Sequence, residues 1–300
     1  MKNFLLISFL NFLLIINIYA QQNLTKELSG PYLGQQPPGL IPVLFAPQII
    51  STEKGWEAAI SFSSDLNELF FTYRSSIEGT ENRIMHMMIV DNLWTEPKLA
   101  SFAKDLIEYE AFITPDDKKV IFKSQRPTPD NSKGGIWYSE RQDTGWSMAK
   151  YLLGPINSGW AMSVTSTLNG ILYFTGNYDS GYGIYRSQFV NGEYTKPEFL
   201  PKEINKSKYF GASHPFIATD ESYLIFDAGA TKNSELYISF KKKDGDWTEA
   251  VPFNKSVNTE EYEGIATVSP DDKYLFFQRN NDIYWVSIDV IYEIKPDDLK

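Results

Sequence analysis

A five-bladed, all-β propeller with four-stranded blades is the fold this sequence predicts. Three observations predict it: a turn-plus-strand unit recurs five times, its spacing is constant, and four strand-like segments accompany each copy. The unit is clearest at Ser269 to Phe277, S-P-D-D-K-Y-L-F-F. The earlier copies end at Phe71, Phe122, Phe174 and Phe226, so the gaps between final aromatics are 51, 52, 52 and 51 residues. A fixed period in this range marks a solenoid, propeller or array. In each copy Pro, Asp or Asn supplies turn geometry, and Leu, Ile, Tyr and Phe then form a short apolar run bounded by turns, the pattern of a buried strand.

The remaining strands follow in order. Before the turn lie Ala58 to Phe62, Ala111 to Ile113, Met162 to Val164, Pro215 to Ile217 and Ile265 to Val268. After the second strand comes a third: Ile84 to Met87, Ile136 to Ser139, Ile184 to Ser187, Leu236 to Ser239 and Ile283 to Val286. An aromatic, often followed by proline, marks a fourth at Trp94 to Pro97, Trp146 to Ala149, Tyr194 to Pro197 and Trp247 to Ala250, where proline suits an edge. Four strands make one blade. The fifth copy lacks its fourth strand, and Phe45 to Ile50 has the missing aromatic-then-proline character. This segment is expected to complete the last blade and close the ring, which removes exposed sheet edges. The expected organisation is a signal peptide over 1–20, a linker or tether over 21–40, the propeller over 41–292 and a flexible tail over 293–300.

The chain has 300 residues, a formal charge of −10 and 15% aromatic residues. One all-β domain of roughly 250 residues is ordinary. The acidic balance and the lack of a basic stripe argue against a nucleic-acid partner. Lys241-Lys242-Lys243 beside Asp244-Gly245-Asp246 is a solvated turn. Lys2, the apolar run from Phe4 to Ile18 and Ile18-Tyr19-Ala20 form a secretory signal, with cleavage expected after Ala20. The run is short of the about 20 apolar residues of a membrane span, so the mature chain is expected to carry none. With no Cys there is no disulfide, lipoprotein cysteine or thiolate metal site. The expected location is the periplasm or outside the cell.

The S-P-D-D-K-Y-L-F-F unit followed by N-D-I-Y-W-V at Asn281–Val286 resembles the TolB-type, WD-like β-propeller repeats of bacterial exported proteins. Tyr32-Leu33-Gly34-Gln35, Phe45-Ala46-Pro47 and the stretch from His214 to Phe226 are similar to a Bacteroidetes-rich branch of that group. The resemblance spans about Tyr32 to Ile291. Copies one and three depart from the Pro-Asp turn at Ser64 and at Thr167-Leu168. The resemblance implies export and a binding or assembly role in the cell envelope, with a protein or glycan partner, and it carries over no catalytic residues.

No G-x-S-x-G, H-E-x-x-H, Walker loop or strand-to-helix G-x-G-x-x-G occurs, and no dense oxygen-ligand loop points to a metal, so no cofactor is expected. His86 is expected in a structural third-strand role, whereas His214, near the start of a first strand, can approach the axis. Six residues before the turn stand Glu57, Glu108 and Glu263 in three blades, with Trp160 and Ala212 in the other two. Second strands end near Arg74, Arg126 and Arg279 in the same three blades, which are contiguous once the ring closes. A ligand-binding rim of these six charges with Glu110, Trp160 and His214 is expected on the face carrying the loops into the first strands, because Arg forks suit carboxylates. The same charges could instead pair as salt bridges that stitch the ring. Trp56, Tyr109, Trp160, Tyr178, Tyr182, Tyr209 and Tyr262 fall in loops or strand ends on that face, where rings stack on sugars or grip peptides. A non-enzymatic binding or scaffold propeller is the expected function. The alternative is a glycoside hydrolase or lyase using axial carboxylates, as in arabinanase-type five-bladed enzymes, which this chain matches in blade number alone.

Overall fold

The computed structural model describes residues 28–104, 106–129, 133–206, 211–229 and 234–300. Five antiparallel sheets form the five blades. Blade 1 runs outward from the axis through Trp56–Phe62, Glu68–Arg74, Arg83–Val90 and Lys98–Leu99. Blade 2 uses Glu108–Ile113, Lys119–Pro127, Lys133–Gln142 and Lys150–Tyr151. Blade 3 uses Trp160–Ser166, Leu172–Tyr178, Gly181–Ser187 and Glu198–Phe199. Blade 4 uses Ser213–Ile217, Tyr223–Ala228, Glu235–Phe240 and Val251–Pro252. Blade 5 uses Glu263–Val268, Tyr274–Arg279 and Asp282–Ser287, and borrows Val43–Leu44 from the other end of the chain.

Strands buried on both faces need apolar residues on both, which is why the second strands read L-F-F, V-I-F or L-I-F without alternation. Their side chains fill an apolar cluster at each blade interface: 1–2 around Phe70 and Phe122, 2–3 around Phe174, 3–4 around Phe226, 4–5 around Phe277, and 5–1 around Phe71 and Trp285.

The ring closes between blades 5 and 1, as expected, but the closing strand is Val43–Leu44 rather than Phe45 to Ile50. Phe45 follows it, gives its N–H to the Ile283 carbonyl (2.8 Å) and is fully buried against Phe62, Phe276 and Trp285. The fourth strands are also displaced from the aromatic marker. Leu93–Trp94 only extends the third-strand hairpin; the edge strand proper is Lys98–Leu99, paired with Met85 and His86. Proline has no N–H for the ladder. Pro97 and Pro197 therefore fall in the break, and the preceding Thr or Ser clips it. Thr95, Ser147, Thr195 and Thr248 each accept, through the side-chain oxygen, an N–H near or just past the end of the third strand, at 3.1, 3.0, 3.0 and 2.9 Å.

The two termini are better packed than a tether and a loose tail. Tyr32 and Leu33 are buried, Tyr32 donates to the Asp271 carboxylate (2.5 Å), and the Trp94 indole donates to the Gly30 carbonyl (2.8 Å). After blade 5 a short helix, Asp289–Ile294, and a 3₁₀ turn, Asp297–Leu299, lay Ile294 and Leu299 on the blade 4–5 cluster. The expected signal segment lies outside the described residues. No described helix is long and apolar enough to cross a membrane.

Candidate functional site at the upper mouth of the ring

Each innermost strand carries one extra residue. The pairing register shifts between Ala58 and Ser61, Tyr109 and Phe112, Met162 and Thr165, Ser213 and Phe216, and Gly264 and Thr267. Within these bulges Ala59, Glu110, Ser163, His214 and Ile265 adopt left-handed φ of 54°, 57°, 54°, 48° and 49°. Such φ is costly for non-glycine residues, above all for β-branched Ile265. Because all five blades share it, the strain belongs to the fold and not to a function. The five bulge residues line the waist of the central channel, where about 30 Å³ remains, room for little more than a water. What differs around the waist is the side chains: three are small or apolar, and two are Glu110 and His214.

A second ring of residues stands behind the first, one position after each final aromatic: Thr72, Lys123, Thr175, Asp227 and Gln278, all buried. Thr72 Oγ1 accepts the Glu110 N–H (2.8 Å), Thr175 Oγ1 accepts that of His214 (2.8 Å), and Asp227 Oδ1 accepts that of Ile265 (3.1 Å). In blades 1, 3 and 4 this column stitches the blade to the next bulge, and in two of them an uncharged hydroxyl suffices. Lys123 has no acceptor to offer. The Ser163 that follows it turns to Glu110 instead, donating its hydroxyl to Oε2 (2.5 Å) and its backbone N–H to the same carboxylate.

These departures from the repeat converge in blades 2 to 4. His214 Nδ1 lies 2.8 Å from Asp227 Oδ1, and Nε2 lies 3.6 Å from Glu110 Oε1. Burial disfavours the imidazolium, but the Asp227 and Glu110 carboxylates outweigh it and push His214 up to about 9. Burial holds the Glu110 carboxyl above its usual range, opposed by His214 and Ser163. Burial pushes the Lys123 ammonium down to about 8, with Glu110 opposing. Among the described residues the Lys123 ammonium makes no hydrogen bond; it lies 5.8 Å from the Trp160 ring centroid. Trp160 and Tyr182 lie near-parallel (28°) with centroids 5.9 Å apart and are 42% and 43% exposed. The Tyr182 hydroxyl bonds Ser213 (2.8 Å), which fixes that ring. Tyr262 belongs to the same neighbourhood: burial, then the fields of Asp227 and Glu110, raise its phenol. No group of three metal-ligating side chains among the described residues converges on a common point.

The expected single charged rim does not form. Glu108 and Arg126 pair within blade 2 (2.6 Å) and are buried; Glu108 also takes the Ser124 hydroxyl (2.7 Å) and the Lys104 N–H (2.8 Å). Glu263 pairs with Arg279 within blade 5 (2.9 Å), and Arg279 donates further to the carbonyls of Ser256 and Val257. Glu57 meets Thr52 (2.7 Å) rather than an arginine, and burial pushes it up to about 7. Arg74 caps the carbonyls of Ser76 and Ile77 and lies 4.5 Å over Trp56. Paired Glu and Arg at these positions fasten the loops that lead into the first strands. Tyr178 is likewise tied down, donating to the Ile156 carbonyl, and Tyr209 lies outside the described residues. His86 joins Arg141 and the Trp146 indole around Glu68, each at 2.7 Å, in the groove between blades 1 and 2.

Of the expected site residues, Glu110, Trp160 and His214 come together. Lys123 and Asp227 join them unpredicted. The signal was present: aligned on the final aromatic, the next column is Thr, Lys, Thr, Asp, Gln.

No family model matches this chain, and no curated protein sequence matches it. Many solved structures do. A family-43 glycoside hydrolase described as thermostable is 11% identical, covering 79% of this chain and 91% of its own, with a TM-score of 0.51. The native arabinanase of Bacillus subtilis is 9% identical over 78% and 94%, with a TM-score of 0.50. A structure described as putative TolB from Agrobacterium tumefaciens is 14% identical over 74% and 69%, with a TM-score of 0.49. The similarity to the two hydrolases is one of fold: a five-bladed propeller.

Proposed function

We infer that this chain is an exported, non-enzymatic propeller that binds a glycan or protein of the cell envelope through the face carrying the loops into the first strands. Its expected place is the periplasm or the exterior, after removal of residues 1–20. One observation carries the reading: the polar residues that break the repeat (Glu110, Lys123, His214 and Asp227) gather beneath two open rings, Trp160 and Tyr182. A repeat that merely builds a ring has no need of charge at these positions. Half-exposed rings above a few convergent polar groups suit a ligand with an apolar face and a polar edge, a description that favours a glycan.

A hydrolase or lyase is the second reading. Glu110 favours it, as an axial carboxyl held above its usual range with no arginine partner. The spacing opposes it: acid–base pairs flank a substrate bond, whereas here the His214 ring stands between Glu110 and Asp227.

A glycan array probed with the purified chain, beside a pull-down from envelope extract, tests the first reading. Trp160→Ala with Tyr182→Ala is expected to abolish capture while leaving the melting temperature nearly unchanged. Capture that survives both substitutions and is lost on changing the outer groove between blades 1 and 2 would move the site. Release of new reducing ends that Glu110→Gln abolishes would establish the enzyme reading instead.

A further inference from the structure

We propose that the upper mouth of the ring is built for an acidic saccharide, with Lys123 as the group that holds the sugar's carboxylate. The inference rests on the glycan-binding function proposed above and names its ligand class.

The position of Lys123 is the first reason. Equivalent residues in blades 1, 3 and 4 accept the N–H of the next bulge. A lysine there gives up that bond and forces Glu110 to replace it. It also brings in a charged residue that is only 7% exposed. A charged side chain drawn this far from water without an acceptor is a costly group, and packing alone does not call for one.

Its surroundings are the second reason. None of its three N–H donors is used among the described residues. The nearest carboxylate, Glu110, is already engaged by Ser163 and faces His214. What remains is a cation over the Trp160 ring, 5.8 Å from its centre, within reach of a charged substituent on a ligand that stacks beside it. A pyranose lays its C–H face on an aromatic ring. A carboxylate on the same sugar completes the unmet donors of Lys123 through charge-assisted bonds.

The charge balance narrows the class. With a net charge of −10, the chain as a whole repels anions, so an acidic ligand needs a local cation. One lysine, a compact point charge, meets one anionic group, and a carboxylate is the anion a sugar ring carries as part of its own skeleton. His214 and Glu110 are left to meet the sugar's hydroxyls.

Calorimetric titration of the full chain with trigalacturonate and with its methyl ester tests this, since esterification removes the charge and leaves the rings and hydroxyls in place. The acid form is expected to bind at least about tenfold more tightly, as a charge-assisted bond allows. Lys123→Met is expected to erase that difference and Lys123→Arg to retain it, while Trp160→Ala weakens both ligands. Equal binding of acid and ester overturns the ligand class and leaves the glycan-binding function standing. No binding of either overturns the acidic-saccharide proposal, and the glycan array then decides separately whether the glycan-binding function stands. A preference that persists in Lys123→Met removes Lys123 from the role. If that variant does not fold, the acid-to-ester ratio of the unmodified chain decides.

Discussion

Glu108 and Glu110 stand two residues apart on one strand of blade 2, and their surroundings are opposite. Glu108 is fully buried and saturated: Arg126 grips both its oxygens, and Ser124 and the Lys104 N–H complete the shell. Glu110 has Ser163 close by, His214 at 3.6 Å, and Lys123 near without touching. The first arrangement is finished and the second is open. A buried charge with every partner present holds a fold together; a buried charge with donors unmet costs stability and has a reason for staying only if something outside the chain completes it.

Four substitutions test the contrast. Glu108→Ala should have the largest effect, lowering unfolding free energy by about 3–5 kcal/mol because Arg126 is stranded in the interior. Denaturant titration measures it, and the folded fraction should bind ligand normally. A small loss would mean that the pair is not what fastens blade 2. Lys123→Met should go the other way, gaining about 1–2 kcal/mol as an unpaired charge gives way to apolar volume. A loss of stability there would show that Lys123 is already satisfied and would remove the contrast.

The His214–Asp227 pair gives a smaller, pH-dependent term. His214 rises from its ordinary 6.5 to about 9, so the folded chain holds a proton the unfolded chain releases between these values. The stabilisation is complete below 6.5 and is lost as pH rises through about 9. Melting temperature should fall across that window, and Asp227→Asn should flatten the fall. Proton resonances of the ring should titrate near 9 in the native chain and lower in the variant. Glu57 gives the second pH-dependent term, away from the candidate site. Its carboxyl rises from 4.5 to about 7, so stability declines as pH climbs through that interval. Glu57→Gln should change stability little at pH 4.5 and raise it above pH 7, as thermal melts at the two pH values would show.

Much of the fold was legible because a propeller repeats its packing. Phe71, Phe122, Phe174, Phe226 and Phe277 do the same job five times, so one pattern declares all five blades. The fourth strands were displaced because the Trp or Tyr marker is conspicuous, whereas the two-residue edge strand after it has no side-chain signature. Tyr32 read as part of a tether because its neighbours are Gly and Pro, yet it packs on blades 1 and 5, whose sequences lie far downstream. The charged rim was half legible. Spacing put Glu and Arg on the same strands, but whether they meet one another or a ligand depends on side-chain reach.

The amino-acid order alone determined a ring of five β units closed from its N-terminal side, because period, turn chemistry and apolar runs are local properties that repeat. It also carried, unnoticed, the column in which Lys123 and Asp227 replace hydroxyls. The tertiary structure decided which charges are matched. Glu108 with Arg126, and Glu110 without a full partner, differ only in what neighbouring strands and the next blade bring within 3 Å, and no pattern along one strand specifies that distance.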